Sequence, residues 1–165
     1  MKRTHVIFGG LALVVVALVV LVTGKERLLA HGTPLYLELA PVDPRSLIQG
    51  DYMVLDYAVS REARFSDGRL VLRRDERGVG HLVGFEESRP LGPGEMWLRY
   101  KVRKGRVRLG AESFFFQEGH AERYAQAKYG ELRVAEDGSS VLVGLRDADL
   151  QPLGGGPLST DPDGP

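Results

Sequence analysis

Eighteen consecutive uncharged residues, Val6–Thr23 (VIFGGLALVVVALVVLVT), constrain this chain more than any other feature. His5 and Gly24 extend the run to twenty. At about 1.5 Å per residue, a helix of that length spans roughly 30 Å, the hydrocarbon thickness of a bilayer. Thirteen of the eighteen are Val, Leu, Ile or Phe. At roughly −0.3 to −0.6 kcal/mol each, they contribute about −4 to −8 kcal/mol toward insertion, with no charge to oppose it. Val is a mediocre helix former in water, but lipid leaves the backbone no alternative to internal hydrogen bonding. The length and the all-round apolarity disfavour a buried core helix.

The flanks give the run a direction. Lys2, Arg3 and the α-amino group precede it, whereas Lys25, Glu26 and Arg27 sum to only +1 after it. The positive-inside bias then leaves residues 1–5 as a cytoplasmic tip, 6–24 as a transmembrane helix in lipid, and the rest on the periplasmic or extracellular side of the cytoplasmic membrane. A cleaved signal peptide is the competing assignment. It needs small residues just before the cut, and only Ala30 and Gly32 offer them, well past the membrane. An uncleaved single-pass anchor is therefore expected. The chain has no cysteine, which rules out a lipoprotein anchor and any disulfide support in an oxidising compartment. Beyond residue 30 there are 18 basic and 21 acidic residues, a net charge near −3. Nucleic acid is a poor partner for such a surface, because neutralising phosphates takes a concentrated excess of Lys and Arg.

From Thr33 onward the pattern changes to period two. In PLYLELAP, Leu35, Leu37 and Leu39 alternate with Tyr36, Glu38 and Ala40, as in a half-buried strand. In DYMVLDYAV, Met53, Leu55 and Tyr57 share one face, and Tyr52, Val54 and Asp56 the other. RLVLRRD, VGHLVGFEE, EMWLRYKV, GRVRL, ELRVA and SVLVGL read the same way. Reversals are expected at Asp67-Gly68, Asp75–Gly78, Lys104-Gly105 and Asp137-Gly138, where glycine supplies the backbone freedom of a tight turn. Eight or nine short strands at this spacing predict an antiparallel barrel or sandwich. One segment departs from the rule. EGHAERYAQAKYG has helical spacing, so a covering helix of about three turns is expected over Gly119–Tyr129, with Gly130 as its C-terminal stop. Residues 25–33 read as a linker, 34–153 as the β-rich domain and 154–165 as a polar, disordered tail.

The chemistry-bearing residues are sparse. The four histidines are scattered, and although Glu118 and Glu122 have helical i,i+4 spacing, a carboxylate pair at a helix start is more often a response to the helix dipole. Neither a phosphate-binding glycine loop nor a metalloprotease helix is present, and there is no Gly-x-Ser-x-Gly elbow. No catalytic residue, metal or cofactor is expected. Ser46–Asp51 (SLIQGD) does resemble the second half of a stretch in signal-peptidase-like enzymes, which sets a hydrolase reading beside the binding one. The first half departs from that pattern. No serine lies between Thr33 and Arg45 to act as nucleophile, and no lysine between Lys25 and Lys101 to act as base.

Gly50-Asp51-Tyr52-x-x-Leu55-x-Tyr57 is similar, at every named position, to the motif of the GDYxxLxY-domain proteins, a group of bacterial membrane-associated proteins whose function is not established. Gly110–Val134, a Glu-Ser-aromatic strand leading through Glu-Gly toward a helix, resembles a second signature of that family. The resemblance implies an extracytoplasmic domain on a membrane anchor, often associated with multi-pass membrane proteins, and implies no catalytic residues. From the residues alone, Gly50 permits a tight corner, and Asp51 either caps amides there or pairs with Arg45 or Arg99. Leu55 and Tyr57 anchor the core, while Asp51 and Tyr52 either finish the corner or face a partner. Glu112 and Ser113 open a run of three phenylalanines, which cannot all face one core. If Phe114 and Phe116 turn inward, Phe115 is covered by the following helix or docks on a membrane or protein partner. The expected protein is a tethered, non-enzymatic binding or assembly module serving an integral-membrane partner or an envelope component.

Overall fold

The protein is described by a computed structural model that covers residues 2–40, 48–49, 52–64, 66–86, 90–116 and 121–154. The apolar run forms most of α1 (Lys2–His31). Ile7–His31 is long and apolar enough to cross a bilayer, and none of its most apolar window is covered by the domain. The helix continues through Lys25–His31, most of the stretch that the sequence suggests is a linker. Those residues are good helix formers, and Leu28 is buried at the junction, so packing extends the helix to Gly32.

The domain is mainly β and antiparallel, with ten strands among the described residues. They are β1 (Thr33–Glu38), β2 (Ile48–Gln49), β3 (Tyr52–Val54), β4 (Gly68–Arg74), β5 (Gly80–Phe85), β6 (Glu95–Arg103), β7 (Arg106–Arg108), β8 (Ser113–Phe115), β9 (Tyr129–Val134) and β10 (Ser140–Arg146). They form three sheets, ordered β1-β9-β10, β2-β3-β8 and β5-β4-β6-β7, and no barrel closes among the described residues. Isolated bridges join the sheets: Tyr36 pairs with Val79, and Leu39 with Tyr57. One core lies between them, built from the inward residues of each strand, including Leu35, Leu37, Leu70, Leu72, Leu98, Leu132 and Leu145. The period-two pattern is thus a record of which residues leave water.

Three reversals fall where the glycines suggest: Asp75–Gly78 between β4 and β5, Lys104-Gly105 between β6 and β7, and Asp137-Gly138 between β9 and β10. Two of them are fastened by carboxylates. Asp75 accepts the amides of Arg77 (2.9 Å) and Val79 (2.8 Å), and Asp137 accepts the Ser139 amide (2.9 Å) and hydroxyl (2.6 Å). Asp67-Gly68 is different. Gly68 is the first residue of β4, and Asp67 accepts the Val102 amide at 2.6 Å, so this pair latches two strands instead of reversing the chain.

The covering helix is shorter than its sequence suggests. Among the described residues it is one turn, α2 (Ala121–Tyr124), and Tyr129-Gly130 belong to β9. Sheet formation overrides the helical spacing here: the Lys128 amide donates to the Arg146 carbonyl (2.8 Å), while the Lys128 carbonyl accepts the Leu39 amide (2.8 Å). Gly130 is not a helix stop. A Cβ on it would lie 2.9 Å from the Tyr57 ring and hydroxyl, so the residue is small because the tyrosine occupies its side-chain space.

Candidate functional site

The two signatures meet in the small sheet. β3 pairs with β8 so that Tyr52 lies opposite Phe115, Met53 opposite Phe114, and Val54 opposite Ser113. A strand presents alternate residues to opposite faces, so this register sorts the motif into a buried side and an outer side. Met53, Leu55, Tyr57 and Phe114 are buried. On the other face Tyr52 and Phe115 approach with ring centroids 5.8 Å apart.

The buried side is a clamp. Tyr57 is 1% exposed, and its hydroxyl donates to the Ala111 carbonyl at 2.7 Å. Burial pushes the Tyr57 hydroxyl far above its ordinary range, and the negative charge of Glu112 adds to the effect. A donor with no acceptor would be costly here, and the Ala111 carbonyl supplies one. The same loop is held from its other end by Glu112, whose Oε1 accepts the amides of Leu109 and Gly110 (3.0 Å for Gly110). The Glu112 backbone carbonyl also accepts the Leu55 amide at 2.8 Å. Leu55, Tyr57 and Glu112 therefore lock the end of the first signature to the start of the second.

Aromatic stacking extends the clamp toward α2. Tyr124 takes Phe114 edge-on at 5.0 Å between centroids and Phe116 tilted at 5.1 Å. The helix thus covers the two alternate phenylalanines but not the one between them, which corrects the simpler expectation that it would cover Phe115. Phe115 is 74% exposed. Outside α1, the only other exposed large hydrophobic side chain among the described residues is Val83, at 39%.

Ser113 is exposed on β8, and the Glu112 carboxylate is engaged by two amides. Gly50, Asp51, Arg45, Ser46, Glu118 and His120 lie outside the described residues, and with them the partners proposed for Asp51. Arg99 donates to Asp137 at 3.2 Å. No group of three or more His, Cys, Asp or Glu side chains suited to a metal is found among the described residues.

Two features escape strand periodicity. One is Gly130, the second residue of β9, which its sequence context presents as a helix stop. The other is Glu131, 8% exposed in β9, which accepts two bonds from the Arg146 guanidinium (2.8 and 2.6 Å). A buried carboxylate needs such a partner, but alternation cannot reveal which arginine across the sheet provides it.

The fold and this clamp define a class: a mainly antiparallel β domain carried on one N-terminal apolar helix, with its two signature segments paired edge to edge. The family model described as GDYXXLXY protein matches residues 14–145, and the chain belongs to that family. No curated protein and no solved structure matches the chain.

Proposed function

We propose that this protein is a non-enzymatic docking module, held at the cytoplasmic membrane by α1, with its domain on the periplasmic or extracellular side. The outer face of β3 and β8 is the docking surface, and the partner is an integral-membrane protein or an envelope component. One observation carries this reading: Phe115 stands 74% exposed, in contact range of Tyr52, on the outer face of a strand whose inner face is fully used by the core. Pairs of aromatic rings with one wet face are typical anchors of protein interfaces. Among the described residues β8 is also the last strand of its sheet, and an edge strand offers a partner backbone groups as well as side chains.

The competing reading is a degenerate or unrecognised hydrolase of the signal-peptidase-like type. Glu112 favours docking, since its carboxylate holds two backbone amides and serves the clamp. Affinity capture of the full chain from solubilised membranes separates the two. Phe115→Ser should lose a co-purifying integral-membrane protein while the fold survives. Loss of a hydrolytic activity on substituting Ser46, Ser113 or Glu112, with that partner still bound, would decide for the hydrolase.

A further inference from the structure

A second surface lies where α1 joins the domain. A cleft of about 790 Å3 runs between the last turns of the helix and the β9–β10 turn, within the usual range for ligand pockets of roughly 300–1,000 Å3. Its walls change character along the helix axis. Val20 and Leu21 belong to the uncharged run that ends at Thr23, while Lys25 and Arg27 follow within two turns. The opposite wall contributes Glu136. Among the described residues none of these three charged side chains forms an ion pair, whereas the neighbouring Asp137 is engaged by Arg99 and Ser139. A second cleft of about 470 Å3 shares Thr33, Val134, Ala135 and Glu136 with the first, and Trp97, the sole tryptophan of the chain, lines it. The Arg69 guanidinium lies 4.4 Å over the centre of the Trp97 ring.

From this gradient we infer that the junction is a seat for the headgroup of an amino-phospholipid, one whose phosphate carries a primary ammonium. The inference rests on α1 being a membrane anchor. Three observations select lipid as the occupant. Val20 and Leu21, at the apolar end of the cleft, belong to the apolar run of α1, which as a membrane anchor sets that end beside acyl chains. Two cations at the boundary match a phosphate, which at this depth belongs to a lipid. Glu136, a carboxylate lining the same cleft, matches an ammonium that can donate hydrogen bonds, and Trp97 has the amphipathic ring typical of membrane–water interfaces.

The test uses the full chain reconstituted into phosphatidylcholine vesicles doped with a small fraction of brominated lipid, whose bromines quench nearby indole emission. Brominated phosphatidylethanolamine should quench Trp97 well beyond its mole fraction, and brominated phosphatidylcholine should not. The double variant Lys25→Gln/Arg27→Gln should bring both lipids to the mole-fraction level. Glu136→Gln should abolish the preference between them without removing quenching. Equal quenching by both lipids in the wild-type chain would overturn the proposal, as would recovery of emission on adding inorganic phosphate. Trp97 left unquenched in a chain that sediments with the vesicles would overturn it while leaving the anchor intact. A chain that does not associate with vesicles would overturn both.

Discussion

Tyr57 concentrates the physics of this domain in one side chain. Its ring fills the space left by Gly130, its hydroxyl is satisfied by the Ala111 carbonyl, and its backbone bridges to Leu39. Tyr57→Phe keeps the ring but strands a buried carbonyl, so chemical denaturation of the full chain in detergent should show a loss of about 1–3 kcal/mol. A pH dependence follows as well. The folded state raises the pKa of this hydroxyl, so its contribution is complete below the unfolded value of about 10 and is lost as pH rises above it, because only the unfolded chain releases the proton. Wild-type stability should therefore fall at alkaline pH, and the part due to Tyr57 should be missing in the Phe variant. Gly130→Ala attacks the same contact from the other strand and should cost about 1–3 kcal/mol by overpacking, read as a lower thermal midpoint. The inward positions of Leu55 and Tyr57 can be read from alternation alone. The need for glycine at 130 cannot, because it arises from a residue more than seventy positions away.

Among the elements, the hairpins follow the sequence and the helix does not. The β9–β10 turn shows why local chemistry suffices for a reversal: Gly138 sits at φ 84° under β6, and Asp137 fastens the turn through bonds only two residues long. A Cβ at Gly138 would meet the Arg99 amide and Trp97 at 3.2 Å, so Gly138→Ala combines backbone strain with crowding. Its expected cost is on the order of 1–3 kcal/mol in thermal unfolding. The bonds from Ser139, hydroxyl first, hold the Asp137 carboxyl below the usual carboxylate range, with Arg99 adding to the effect. This contribution is present above the unfolded value of about 3.9 and disappears as pH falls through the lower folded value. An acid titration of stability should accordingly be shallower for Asp137→Asn than for the wild type. The α2 segment fails the same local logic. Its alanines and Tyr124 have helical spacing, yet the hydrogen bonds of Lys128 to Leu39 and Arg146 belong to the sheet, and these long-range pairings decide where the helix ends.

For the whole molecule, the account is a division of labour between the two sides of one short sheet. The inner side is committed to the clamp, and the outer side carries an aromatic pair whose solvent exposure contributes little to the fold. Phe115→Ser should shift stability by no more than about 0.5 kcal/mol, as for most surface substitutions, while removing the proposed docking anchor. That an aromatic in the three-phenylalanine run must face outward is legible from strand geometry. That Tyr52 is its neighbour is not, since the pairing of β3 with β8 joins segments some sixty residues apart. The apolar helix α1 is the easiest element to read, because a long uncharged run has few other solutions.

The proposed docking surface is tested most directly by placing a photo-crosslinking residue at position 115 in living cells, with position 83 on β5 as the exposed control. The account predicts covalent capture of an integral-membrane or envelope protein from position 115 and not from position 83. Equal capture from both positions, or none from 115, would contradict it.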